Sequence, residues 1–179
     1  MKLFIENRAA FVFIVKFVIL YLAANTLYGF WIEWYSPSAD PMTVQVAKMT
    51  AKGIAWFDGD VKAIEMANSK NVAIRNAEGI VIEVFEGCNG INVMLVFLSF
   101  IIAFRGTLAK TAKFAAIGCA VIYLLNLLRV GALYTVELNW PRYLYFFHKY
   151  LFTGGIYLAV FFMWYLWARQ VKTDVRQQS

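Results

Sequence analysis

The sequence predicts an all-α integral membrane protein with about four transmembrane helices, and with a small extracytoplasmic helix and short β-strands between spans one and two. The composition supports this fold class, because 61% of the 179 residues are hydrophobic and the mean hydropathy is +0.60. Soluble domains are usually about half apolar. The net charge of +6 forms no nucleic-acid-binding tract. Residues 1–179 are therefore predicted to form one domain embedded in a lipid bilayer.

Apolar stretches that could cross the bilayer recur four times along the chain. They cover residues 9–31, 91–104, 114–136 and 150–168. A span needs roughly 20 residues, with a range of about 17–25, so the second stretch is short unless Asn89 and Gly90 join it. The first stretch is not expected to be a cleaved signal peptide, because its apolar run is long and Leu22 suits cleavage after Ala24 poorly.

The distribution of basic residues predicts that both termini lie in the cytoplasm, because short cytoplasmic segments are enriched in Lys and Arg. The segment "RGTLAKTAK", between the second and third stretches, contains only basic charges. Aromatic residues typical of a membrane interface lie at the opposite boundaries. The inner residues are Lys2, Arg8, Arg105, Lys110, Lys113, Arg169, Lys172 and Arg176, against Glu6 and Asp174, and the outer aromatics are Trp31, Trp34, Trp140 and Tyr143.

The extracytoplasmic segment, about residues 32–87, begins with a predicted short helix. In "DPMTVQVAKMTAKG", Asp40 can cap the helix, the proline that follows fits its first position, and Gly53 can end it. The helix is expected to lie at the membrane surface, with one apolar face toward the membrane. That face would contain Met42, Val46 and Met49.

Residues 61–85 alternate between apolar and polar side chains, with turn-forming residues at 68–71 and 76–79. This pattern predicts two or three short strands. The last strand would lead directly into Gly87 and Cys88.

Cys88 lies between the strands and the second apolar stretch, and is therefore expected near the outer face at a helix N-terminus. The free N–H groups of a helix N-terminus lower the pKa of a nearby thiol. Gly87 and Gly90 would let backbone approach the thiol closely. The structural alternative is a small apolar residue that only packs at the start of a helix.

Arg129 lies inside the third apolar stretch, where a charge costs roughly 2.5–3.5 kcal/mol on insertion scales. Tyr123 and Asn126 precede it at intervals of three residues, so all three share one helix face. A polar face of a transmembrane helix normally contacts protein. The alternative is an arginine whose side chain reaches the outer interface.

His148, the single histidine, begins the fourth stretch at the same predicted depth. A Cys–His pair can form a thiolate nucleophile, and a fixed arginine can stabilise that thiolate or an oxyanion. Cys88, Arg129 and His148 are therefore the predicted catalytic residues, without metal or cofactor. Cys119 is expected near the inner end of its span and too far from Cys88 for a disulfide.

These residues resemble those of the exosortase/archaeosortase family, membrane-embedded cysteine transpeptidases. The motifs are "GCNG" at residues 87–90, "NLLR" at residues 126–129 and the following His148. The resemblance runs from about residue 35 onward and is strongest to the compact exosortase F-like branch. It implies that Cys88 is the nucleophile and Arg129 and His148 are its partners, with Asn126 and Asn89 as supporting residues. Many members have Ser in place of Asn89 and about eight spans.

The resemblance implies a sorting enzyme in the cytoplasmic (inner) membrane, with its active site on the extracytoplasmic side. Its substrates would be exported, membrane-anchored proteins with a C-terminal motif, one transmembrane helix and a basic cluster. Transfer to an unknown acceptor nucleophile and hydrolysis by water both remain open. Two other classes also remain: a membrane thiol oxidoreductase, which usually has a Cys-x-x-Cys pair, and a non-enzymatic membrane subunit or small transporter.

Overall fold

The computed structural model describes residues 8–104 and 106–177, with side chains as far as residue 171. Lys2, Glu6 and Arg105, and the side chains of Lys172, Asp174 and Arg176, lie outside this description. Helices dominate the fold, and one small sheet interrupts them. In chain order the elements are α1 (Arg8–Tyr35), α2 (Pro41–Asp58), β1 (Lys62–Glu65), β2 (Val72–Arg75), β3 (Ile80–Val84), a 3₁₀ turn (Glu86–Cys88), α3 (Ile91–Ala103), α4 (Leu108–Asn139), a 3₁₀ turn (Pro141–Tyr143), α5 (Leu144–Phe146), a π-helix (Phe147–Phe152) and α6 (Thr153–Gln177).

Three helical stretches of the described chain are long and apolar enough to cross a membrane. They are α1 with 28 residues, α4 with 32, and the continuous stretch Pro141–Val171 with 31. The second predicted span is the 13-residue α3, which at about 1.5 Å per residue is roughly 20 Å long, short of a hydrocarbon core of about 30 Å. The structure thus supports a membrane protein, while the count of four spans stays a prediction.

The membrane part is held together by packing between α3, α4 and α6. Phe97, Ile122 and Trp167 are fully buried in this cluster. Gly118 of α4 leaves room for the Phe97 ring, because a Cβ at this glycine would collide with the ring. The α1 helix packs mainly against α3, and its apolar side chains remain largely exposed, as expected of a helix that faces lipid.

The α2 helix begins as the sequence predicts but ends later. Asp40 caps it by accepting the N–H groups of Met42 and Thr43 at 2.9 and 3.0 Å. The predicted end at Gly53 is wrong, because the helix continues to Asp58 and stops at Gly59, whose φ is 73°. A glycine inside a helix costs only about 1 kcal/mol, which the packing of the flanking turns offsets.

The predicted membrane-facing side of α2 is also wrong. Met49 is 46% exposed, whereas Val46 is fully buried within the protein. The helix packs against the sheet and α4, because small side chains allow close approach on this face. The buried residues of α2 are Thr43, Val46, Ala47, Thr50 and Ala51.

The predicted strands form a three-stranded antiparallel sheet in the order β1–β2–β3. The central strand β2 is buried through Val72, Ala73 and Ile74, and β3 is an edge strand. Beneath the sheet, Val84 joins Val130 and Tyr134 of α4 in one core that also contains Cys88. The sheet, α2 and the C-terminal half of α4 therefore fix the position of the cysteine.

Candidate active site

Cys88 lies at the end of a 3₁₀ turn that follows β3 directly. Its N–H donates to the Phe85 carbonyl at 2.8 Å. Gly90 then adopts a left-handed φ of 84°, and α3 begins only at Ile91. Cys88 therefore lies three residues before the helix, at the strand-to-helix boundary where the sequence places it.

Asn89 is fully buried and ties three helices together beside the cysteine. Its Nδ2 donates to the Tyr28 hydroxyl of α1 at 2.8 Å and to Thr43 Oγ1 of α2 at 3.1 Å. Its Oδ1 accepts the Ile91 N–H of α3 at 3.0 Å. Thr43 in turn donates to the Asp40 carboxylate. These contacts fix the backbone on the C-terminal side of Cys88.

Asn126 of α4 holds the cysteine backbone from the opposite side. Its Nδ2 donates to the Cys88 carbonyl at 2.8 Å, and its side chain is buried. A Cβ at Gly90 would lie 3.1 Å from Asn126 Cγ, so the glycine permits this close approach. The polar face of α4 thus contacts protein, as its spacing predicts.

Two side chains contact the same ring nitrogen of His148. Its Nε2 lies 3.5 Å from Cys88 Sγ and 3.2 Å from Arg129 Nη2. The histidine stands on the π-helix Phe147–Phe152, and Thr153 donates to its carbonyl at 2.7 Å. Single-turn π segments are frequent at functional sites. The three predicted catalytic residues therefore meet, although they come from three separate elements.

The contact with Arg129 determines which histidine nitrogen is free of its proton. Arginine only donates hydrogen bonds, so Nε2 must accept in this contact and the neutral ring carries its proton on Nδ1. The same lone pair is the one that faces Cys88. If Nε2 takes the thiol proton, Arg129 must release the nitrogen and can then turn to the thiolate.

The charge state of Cys88 differs from the sequence-based expectation of an acidic thiol. Burial raises the pKa of the Cys88 thiol, and the nearby Arg129 cation lowers it by less. The expectation is wrong because the effect of burial exceeds that of the cation, and because the first N–H group of α3 is occupied by Asn89. The resting nucleophile is a neutral thiol that is only 5% exposed.

A cavity of about 420 Å³ opens beside the thiol and the imidazole. Its walls are mainly apolar, with two carboxylates among them. The residues that line it are Val81, Ile82, Glu83, Val84, Phe85, Cys88, Val130, Leu133, Glu137, Leu144, Tyr145 and His148.

The family described as transmembrane exosortase matches residues 3–168. The chain belongs to the transmembrane exosortase family. No curated protein and no solved structure matches it. The family match includes the first membrane helix, which lies before the region where the motifs resemble exosortases.

The second cysteine of this exosortase takes no part in the site. Cys119 packs against the Phe97 cluster of the membrane part, whereas Cys88 belongs to the core beneath the sheet. Both cysteines are free thiols. This separation removes the pairing on which a thiol oxidoreductase would depend.

Two residues near the exosortase site are missed by sequence reasoning. Tyr28 and Thr43 both contact Asn89, from 61 and 46 positions away along the chain. A tyrosine hydroxyl within an apolar helix is a weak signal, because such groups also occur at membrane interfaces. Only the folded chain shows that these two hydroxyls support the residue next to the nucleophile.

Proposed function

We propose that this exosortase is a membrane-embedded cysteine peptidase and transpeptidase that cleaves exported proteins near the outer face of the membrane. The observation that supports this best is the placement of Cys88 Sγ and Arg129 Nη2 at 3.5 and 3.2 Å from one nitrogen of His148. Exosortases are generally cysteine-type peptidases or transpeptidases. The arrangement contains a nucleophile, a base and a fixed cation.

The first chemical step is acylation of Cys88. His148 Nε2 takes the thiol proton while sulfur attacks the scissile carbonyl, which gives a tetrahedral intermediate with a negative oxygen. The intermediate then collapses and expels the amine of the C-terminal fragment, which takes the proton from His148. The N-terminal part of the substrate remains attached to Cys88 as a thioester.

The second step releases the product and restores the enzyme. An acceptor nucleophile or a water molecule attacks the thioester, gives its proton to His148 and displaces the Cys88 thiolate, which regains a proton. The same histidine therefore acts as base and acid in both steps.

Arg129 stabilises the negative charge that these steps create. Its guanidinium keeps its positive charge and has donors in a rigid plane. Its Nε is buried and has no hydrogen-bond partner among the described residues, so it can bind a thiolate or an oxyanion without losing another contact. Preorganised donors of this kind account for a large part of the rate of acyl transfer.

The proposed location is the cytoplasmic membrane, with both termini inside and the site outside. The N-terminal end of α1 and the C-terminal ends of α3 and α6 meet around one cavity, to which Arg8 and Lys16 contribute their basic side chains. The sheet packs against the C-terminal half of α4, through Val84, Val130 and Tyr134. Basic ends are normally cytoplasmic, which supports this orientation.

The proposed substrates are exported proteins whose C-terminus contains a short motif, a transmembrane helix and a basic cluster. A substrate helix beside the enzyme would hold its basic cluster at the cytoplasmic end. Its outer end would then present the cleavage motif at the level of Cys88. The thioester formed at Cys88 then passes to an acceptor nucleophile or to water.

The test is the processing of membrane proteins in cells that contain Cys88→Ala in place of the wild-type chain. We expect C-terminally anchored precursors to accumulate, and mass spectrometry of the membrane fraction to recover their intact C-terminal helices. Cys119→Ala is the matched control and should leave processing normal. Normal processing by Cys88→Ala at equal protein level would overturn the proposal and would favour a non-enzymatic subunit.

A further inference from the structure

The cavity at the active site runs along the free edge of the sheet. Among the described residues the strand β3 pairs with β2 and with no strand on its other side. Five consecutive residues, Val81 to Phe85, line the cavity that contains Cys88 and His148. Because strand side chains alternate between two faces, a cavity over one face would contact every second residue. Contact with consecutive residues indicates a cavity beside the strand edge.

An edge strand has backbone N–H and C=O groups without a neighbouring strand. An extended peptide can pair with them, and main-chain hydrogen bonds then supply affinity whatever the peptide sequence. From Val81 to Phe85 the strand covers about 13 Å at roughly 3.3 Å per residue. This length suits about four residues of a bound peptide.

We propose that the substrate segment preceding the scissile bond binds as an added strand along β3. This proposal rests on the proposed function and describes how the substrate binds. The strand leads through the turn at Glu86–Cys88 into α3, and so runs toward the membrane. A substrate that enters the membrane after its cleavage site runs the same way. The substrate strand is therefore parallel to β3, and its last carbonyl reaches the Cys88 thiol.

The cavity also favours a positively charged side chain in the bound strand. Glu83 and Glu137 are its two carboxylates, on β3 and α4, and the remaining walls are mainly apolar. Glu83 accepts a hydrogen bond from the neutral Asn71 Nδ2 at 2.8 Å and forms no salt bridge with the residues that the structure describes. A lysine or arginine of the substrate would supply the missing charge.

The test uses peptide electrophiles on the full-length enzyme in detergent micelles. Acetyl-tetra-alanyl chloromethyl ketone has its reactive carbon at the C-terminal end, where the Cys88 sulfur displaces chloride to form a thioether. Four further probes each have one N-methylated amide. We expect methylation at alternate amides to slow Cys88 alkylation by about three- to tenfold, because each removes a hydrogen bond to β3, and methylation at the amides between them to have no effect.

A chloroacetyl tetra-alanine amide series is the matched control for direction. It presents the same amides, but its reactive carbon is at the N-terminal end. Its peptide chain therefore extends from Cys88 in the opposite N-to-C direction. All rates are divided by those with glutathione to remove differences in intrinsic reactivity. We expect the alternating pattern in the ketone series alone, and the same pattern in the chloroacetyl series alone would overturn the parallel arrangement.

The charge preference is tested in the same assay with lysine at each of the four positions. One lysine probe should react faster than the all-alanine probe, and Glu83→Gln or Glu137→Gln should remove that advantage. Glu78→Gln, which changes a carboxylate in the β2–β3 turn outside the cavity, should retain it.

A uniform effect of N-methylation in both series would overturn binding along β3. In that case Cys88→Ala would still block precursor processing if the proposed function is right. Normal processing by Cys88→Ala would instead reject the proposed function itself. The two failures are therefore distinguishable.

Discussion

Replacement of Arg129 by lysine separates a catalytic cation from one that only reaches the membrane interface. In the structure Arg129 Nη2 lies 3.2 Å from His148 Nε2, and the planar guanidinium has a buried Nε that is free for a second contact. Lysine keeps the charge but has a single ammonium on a flexible chain. Its three donors share one nitrogen, so it cannot present two spaced, parallel donors to a thiolate or an oxyanion as the guanidinium can.

The expected loss follows from the contacts that lysine cannot make. A hydrogen bond with a charged partner contributes about 1.5–3 kcal/mol, which at about 1.36 kcal/mol per tenfold corresponds to roughly a 10- to 150-fold change in rate. Loss of one oxyanion donor costs about 10²–10³ in rate. We therefore expect Arg129→Lys to cleave about 10²-fold more slowly, and Arg129→Ala about 10³-fold.

The assay is cleavage of a membrane-anchored reporter by matched amounts of wild-type and variant enzyme. Arg142→Lys is the control, because Arg142 belongs to the exposed 3₁₀ turn Pro141–Tyr143 and lies outside the cavity. Membrane levels of each variant are measured by immunoblot. Near-normal cleavage by Arg129→Lys would refute the catalytic role and leave interface contact as the function of this arginine.

Three further predictions concern the thiol and its supports. The pH midpoint of Cys88 alkylation should lie above the ordinary thiol range, because burial raises the pKa of the thiol. Arg129→Ala should raise this midpoint further, because the cation favours the negative thiolate, and an unchanged midpoint would contradict this. His148→Gln should abolish cleavage yet leave this midpoint nearly unchanged, since Nε2 accepts from Arg129 and the resting pair is neutral; a large shift would indicate a thiolate–imidazolium pair. Asn89→Ala removes three hydrogen bonds, about 1 kcal/mol each, so it should lower the thermal unfolding temperature in detergent, whereas Asn71→Ala should lower it far less.

The meeting of Cys88, Arg129 and His148 follows from rules that act along the sequence. A polar face within an apolar helix must contact protein, and alternate spans return the chain to the same side of the membrane. These two rules bring three distant residues to one depth, which explains why the sequence predicts their proximity. The sheet follows equally well from the alternation and turn residues between residues 61 and 85.

What the sequence does not predict depends on contacts between elements. The end of α2 shifts from Gly53 to Asp58. In the added turn Ile54 and Ala55 pack partly against the core, and a glycine alone is a weak stop signal. The charge of Cys88 depends on its burial and on Asn89, which occupies the first N–H of α3. Neither burial nor this local competition can be read from the spacing of residues.

The nucleophile of this exosortase is fixed by its backbone, while its thiol remains neutral. Asn126 donates to the Cys88 carbonyl at 2.8 Å, and the polar contact of the thiol is with His148 Nε2 at 3.5 Å. A buried neutral thiol gains its charge only as proton transfer and attack on a carbonyl proceed together, so reactivity depends on where the carbonyl is placed. Since the turn that contains the cysteine follows β3 directly, a substrate strand paired with β3 would bring its carbonyl to a cysteine whose backbone is held in place.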